Sequence, residues 1–142
     1  AVADMMEDPH SLVGLGDGGA HVGILSDASA MTYMITHWTR DRTRGRKVKL
    51  PWAIKRLTSD NAATLGLTDR GMIKIGKKAD LNVINYEHLK INPPEVRYDL
   101  PAGGKRMVQT IEGYDATILS GHIVARHGKP TEFLPGKLVR SS

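Results

Sequence analysis

The sequence predicts an α/β unit followed by a small β unit. Three observations carry that prediction. A short apolar run, residues 11–16, ends in the loop Asp17-Gly18-Gly19. Met31, Met34, Ile35 and Trp38 recur at the spacing of one helical face. After Gly71 the apolar pattern changes to the period of two expected of strands. The 142 residues suffice for one domain with a real core. An apolar fraction of 40% argues against disorder, and an aromatic fraction of 5% leaves Leu, Ile, Val and Met to fill the interior.

Taken in order, Ser11-Leu12-Val13-Gly14-Leu15-Gly16 is apolar without alternation. It reads as a buried parallel strand covered on both faces, followed by a tight loop. The Met and Trp stripe predicts a helix over residues 29–42 with that stripe toward the core. A second helix follows Leu50, because Pro51 suits the first helical position, where no amide donor is needed; Ile54 and Leu57 then face inward. Asp60 caps a further short helical turn, residues 61–65, which Gly66 stops. The join between the units falls between Gly66 and Gly76. A strand lies within residues 79–86, with Leu81, Val83 and Asn85 on one face. Asn92-Pro93-Pro94 breaks it, and residues 101–104 mark another loop. Residues 107–111, 116–119 and 123–127 read as strands, the last two forming a hairpin across Ser120-Gly121-His122. The tail, residues 134–140, reads as an extended arm. No internal repeat or low-complexity segment is present.

Charge and composition narrow the function classes. There are 20 Lys and Arg against 15 Asp and Glu, a net charge of +5. Much of the excess sits between Arg40 and Lys49. That run holds no aromatic for base stacking and matches no nucleic-acid motif, so it reads as a solvated helix end and loop. Nucleic acid is therefore not an expected partner. No apolar run approaches the roughly 18 residues of a membrane span. The first residues lack the basic and apolar regions of a signal peptide, and there is no cysteine, so a cytoplasmic protein is expected. The chain begins with Ala1, which suggests a truncated or processed product, with Met removal before Ala as the alternative.

The glycine-rich residues 14–21 invite a phosphate-loop reading, but the Lys-Ser/Thr pair of a nucleotide P-loop is missing. Gly14, Gly16 and Gly19 fit the dinucleotide pattern. The helix begins too late for it, however, and Asp17 would aim a carboxylate at the pyrophosphate. Asp17 is the better candidate in its own right. An acid at the C-terminal end of a buried parallel strand sits where barrel enzymes keep catalytic groups. The alternative is an Asp that only hydrogen-bonds its own loop, and the pattern leaves both open. His10, His21, His37, His88, His122 and His127 are scattered, with no His-x-His, and spacing does not make them a metal site. His21 lies in the same loop as Asp17, as a substrate contact or a loop hydrogen bond. Asp80 reads as a structural cap before its strand.

Several segments resemble a known family. Residues 12–21, Leu-Val-Gly-Leu-Gly-Asp-Gly-Gly-Ala-His, are similar to the last-strand motif of the N-acyl-D-amino-acid deacylases (D-aminoacylases) of the amidohydrolase superfamily. Many relatives carry Ser where this chain has Gly16. Residues 58–67 resemble the helix that commonly carries Asn-Pro-Ala, with Ala62 in place of Pro. Residues 69–81, ending in Ala79-Asp80-Leu81, are similar to the superfamily's Gly-x-Ile-x-x-Gly-x-x-Ala-Asp-Leu signature. Residues 118–124, Gly128 and Pro135-Gly136 match its closing hairpin and arm. Trp38-Thr39-Arg40-Asp41-Arg42 and the Asp17 loop favour the D-aminoacylase branch.

The resemblance implies the last strand and helices of a metal-dependent (β/α)8 barrel over residues 1–70. The C-terminal part of a small β-sandwich domain follows over residues 71–142. It implies hydrolysis of the amide bond of N-acyl-D-amino acids, with zinc as cofactor. The zinc ligands are expected upstream, leaving no metal ligand here unless Asp17 also touches the metal. Asp17 matches the catalytic acid–base residue, and His21, Gly18 and Gly19 fall where substrate would bind. The expected partners are the small-molecule substrate and the rest of the barrel, or a second copy of the chain. Alternatives are a cyclic-amide hydrolase of the hydantoinase or dihydropyrimidinase type, and a non-catalytic binding or assembly module.

Overall fold

The computed structural model describes residues 1–24 and 27–139. Helices come first: α1 (Val2–Glu7), α2 (Ala30–Thr36), α3 (Leu50–Leu57) and α4 (Ser59–Thr64). Strands follow: β1 (Leu81–Ile84), β2 (Lys90–Ile91), β3 (Glu95–Leu100), β4 (Gly104–Val108), β5 (Ile111–Glu112), β6 (Tyr114–Leu119), β7 (His122–Arg126) and β8 (Lys129–Pro130). This mixed content, with antiparallel sheets, agrees with the α/β expectation.

A 3₁₀ turn, Asp27–Ser29, leads into α2, and a π turn, His37–Asp41, continues it. The predicted helix over residues 29–42 is therefore one run of three pitches. The π turn is closed by the Arg42 amide donating to the His37 carbonyl at 2.9 Å. The helical stripe faces the core as expected: Met34, Ile35 and Trp38 are buried, and Met34 and Trp38 cluster with Val48 and Ala53. Ala53 has no exposed surface, so the absence of a larger side chain lets α3 lie close against α2. The Arg42 guanidinium lies 4.2 Å from the Trp38 ring centroid and covers its face, a cation–π contact.

Pro51 stands in the first turn of α3, as predicted. The inward face of α3 needs correction. Ala53 and Arg56 are buried and Leu57 packs against the core, whereas Ile54 is 37% exposed on the wall of a groove facing β1. Two apolar positions could not fix the helix's rotation, and the stem of Arg56 takes the place predicted for Ile54. Asp60 does not cap α4 either. It lies inside the helix, whose N-cap is Thr58, and it pairs with Lys55 and, at 3.5 Å, with Arg56. The Lys55 ammonium hydrogen-bonded to Asp60 holds that carboxyl below the usual carboxylate range.

The predicted buried strand over residues 11–16 is not formed. These residues carry no strand pairing, and Leu15 is 90% exposed. No strand among the described residues runs beside them to complete their backbone hydrogen bonds. Side chains hold the segment instead. The Arg56 guanidinium donates to the carbonyls of Met6 (3.1 Å) and Ser11, and the Asn61 amide to the carbonyl of Val13 at 3.0 Å.

The main sheet has the order β1-β6-β7-β8, all antiparallel; β2 pairs with β5, and β3 with β4. The predicted β6–β7 hairpin turns on Ser120 (φ 52°) and Gly121 (φ 82°), the two positive-φ residues of a type I′ turn. Asp80 is structural, in a way its position before β1 did not reveal. One carboxylate oxygen accepts the Ser120 amide at 2.8 Å, and the other lies 3.2 Å from Arg70. It therefore caps the turn of the neighbouring hairpin. Leu81 and Val83 pair in regular register with Ile118 and Ala116 and so share a face, as predicted, with Leu81 half-buried and Val83 48% exposed; the register slips only after Val83. The predicted arm has no regular structure over residues 131–139, and its last residue, Arg140, lies outside the described residues.

Side-chain hydrogen bonds join the helices to β6 and to the connection between β1 and β2. Thr32 and Tyr114 share one at 2.9 Å and Thr39 and Tyr86 one at 2.6 Å, while Arg40 donates to the carbonyls of Tyr86 and Leu89, the latter at 2.7 Å. Leu89, fully buried at this junction, packs directly under Gly113. Gly113 has φ +96°, and a Cβ there would lie 2.6 Å from Leu89 Cα. Gly113→Ala is expected to cost about 1–3 kcal/mol of stability, from positive-φ strain plus a backbone clash. A urea titration checks this; an unchanged midpoint would show that the junction yields freely.

Candidate active site

The Asp17 loop is built by its backbone. The Asp17 amide donates to the Asp27 carboxylate at 2.9 Å, and the Asp17 carbonyl accepts from Ala20 at 2.9 Å. The loop lies directly on the Asp27–Ser29 turn. A Cβ on Gly16 would stand 2.8 Å from the Asp27 carbonyl oxygen, and one on Gly18 would stand 2.7 Å from Ala28 Cβ. Glycine at these two positions therefore permits close approach of one backbone segment to another. Farther along, the Val22 carbonyl accepts the Met107 amide at 2.7 Å, which ties the loop to β4.

Within this frame Asp17 is exposed, and no group among the described residues hydrogen-bonds its carboxylate. Gly18 packs on Ala28, and Gly19 stands open with φ +98°. His21 is exposed in the same loop, with φ +49°, and its carbonyl accepts from Ile24 at 2.8 Å. Asp27 was not singled out from the sequence. The available signal was an acidic residue just ahead of the helical stripe, the usual mark of a helix start.

Nearby, a cleft of about 590 Å³ lies between α2 and β2, lined by Asp27, Tyr33, His37, Arg40, Lys90 and Gln109. Tyr33 and His37 stack at 4.6 Å along it. Arg40 is committed elsewhere: besides its three carbonyl partners, on Tyr86, Glu87 and Leu89, it pairs with Asp41 at 2.6 Å, and that hydrogen bond holds the Asp41 carboxyl below its ordinary range. Arg46 likewise pairs with Asp4 (3.0 Å) and Glu7 (2.7 Å). The basic run is thus a helix end and loop, with part of its charge spent on internal partners.

Among the described residues no three of His, Asp and Glu converge as a metal site. The donors among the described residues therefore do not by themselves form a metal centre. No helix among the described residues is long and apolar enough to cross a membrane.

Comparison with curated proteins and with solved structures finds no match. The sequence profile of the amidohydrolase family, a family of hydrolases that usually depend on metal, matches residues 1–125. Spanning most of its length, that match shows that the chain belongs to the amidohydrolase family.

Proposed function

We propose that the intact enzyme hydrolyses the amide bond of N-acyl-D-amino acids and that this chain contributes Asp17 as the group that moves the proton. Membership of the amidohydrolase family supports the reaction class. The single observation that carries Asp17 is the division of labour in its loop: the backbone makes the structural hydrogen bonds, and the exposed carboxylate makes none with the described residues. An Asp present only to hold a loop would spend its side chain on that loop.

In the reaction, the oxygen of water bonds to the acyl carbon and the C–N bond breaks. Asp17 takes a proton from the attacking water and delivers it to the leaving nitrogen, giving a carboxylate and the free amino acid. His21, Gly18 and Gly19 border the substrate in this reading. Residues 1–70 belong to the barrel and residues 71–142 to the small β domain. The metal ligands come from outside this chain.

The test is a substrate panel on the intact enzyme: N-acetyl-D-amino acids, their L-enantiomers, hydantoin and dihydrouracil. The D-series should exceed the L-series in kcat/KM by about 10-fold or more. Faster ring opening of hydantoin or dihydrouracil would replace this reading with that of a cyclic-amide hydrolase.

A further inference from the structure

The Asp17 loop is held from beneath by one side chain. Asp27 places a carboxylate oxygen 2.9 Å from the Asp17 amide nitrogen, and the Gly16 and Gly18 backbone lies close against the same turn. That turn is fixed from its other side. The Ser29 hydroxyl donates to the Gln109 side-chain oxygen at 2.5 Å, and the Gln109 amide donates to the Asn92 carbonyl at 3.0 Å. The Asp27–Ser29 turn is therefore hydrogen-bonded on two sides, through Ser29 to Gln109 and through the Asp27 carboxylate to the Asp17 amide. Asp27 enters no ion pair among the described residues, so its visible work is to accept that one amide. A charged acceptor makes such a bond about twice as strong as a neutral one.

We propose that Asp27 is a positioning residue, fixing the Asp17 main chain so that the Asp17 carboxylate meets the substrate in one place. The inference rests on the reading of Asp17 as the proton-moving group. Asp27 exchanges no proton with substrate; it acts through the backbone of the residue that does. A displacement of about 1 Å at a reacting group can cost on the order of 100-fold in rate, so the anchor matters out of proportion to its single bond.

The experiment compares Asp27→Ala, Asp27→Asn and Asp17→Asn in the intact enzyme. Asp27→Ala removes the acceptor and should lower kcat by about 10- to 100-fold with KM within about 3-fold, the usual range for groups supporting a catalytic residue. Asp27→Asn retains an acceptor oxygen, though a neutral one, and should recover part of that loss. Hydrogen exchange at the Asp17 amide, read by mass spectrometry, should quicken in the Ala variant and return toward the parent rate in the Asn variant. An unchanged kcat and exchange rate in Asp27→Ala, with Asp17→Asn inactive, would overturn the positioning role alone. Equal loss in both Asp27 variants would overturn it too, showing that the charge rather than the acceptor matters. Full activity in Asp17→Asn would instead remove the reading on which the proposal stands.

Discussion

Asp17→Asn is expected to lower kcat of the intact enzyme by about 100-fold or more, with KM little changed, in line with the loss of a general base. The substitution is close to isosteric, and it removes the ability to carry a proton between water and the leaving nitrogen. It leaves the loop's scaffold alone, because the amide and carbonyl of residue 17 make the bonds to Asp27 and Ala20. The melting temperature should therefore hold within a few degrees while turnover collapses. That pairing separates a chemical role from a structural one. A variant that turns over within a few-fold of the parent would remove Asp17 from the mechanism. One that loses activity together with its melting temperature would return Asp17 to the role of loop support.

The elements that were legible in the sequence are those fixed by neighbours in sequence. Met31, Met34, Ile35 and Trp38 define a helical face by spacing alone, and that face is turned to the core. Pro51 starts α3 because its missing donor is harmless there, and Ser120-Gly121 makes a hairpin because both φ values can be positive. Residues 95–100, Glu-Val-Arg-Tyr-Asp-Leu, alternate as strictly as a strand can. They form β3, a strand whose signal is obscured by the prolines directly before it. The strands β2, β5 and β8 span two residues each, too few to show any period.

The remainder depended on partners distant in sequence. An apolar run such as residues 11–16 tells that burial is wanted, not which surface supplies it. Here the segment stays unpaired and is tied by Arg56 and Asn61, more than 40 residues away. The same holds for the candidate site. The tight loop that carries Asp17 was legible because the glycines around it are local. Asp27 was not, because its task appears only once the loop has folded back over ten residues to meet it. Asp80 shows a third case: its structural role was legible, but its partner, the Ser120 amide, lies 40 residues on.

Arg56→Ala is expected to cost about 2–4 kcal/mol of stability, from lost hydrogen bonds to a charged donor and from carbonyls left without one. Its side chain is only 10% exposed, pairs with Asp60, and reaches the carbonyls of Met6 and Ser11 and the Ser11 hydroxyl (3.1 Å). These bonds join the C-terminal turn of α3 to the chain between α1 and the Asp17 loop. Truncation strands those acceptors and also removes the alkyl stem that fills the inward face of α3. Arg56→Lys keeps the charge but not the guanidinium's five donors, so it should recover only part of the loss. The damage should also be local first. Proteolysis under native conditions should cut within residues 5–16 of the Ala variant well before it cuts the β6–β7 hairpin. A denaturant midpoint matching the parent, with residues 5–16 still protected, would mean that the Asn61 bond to Val13 holds this segment alone.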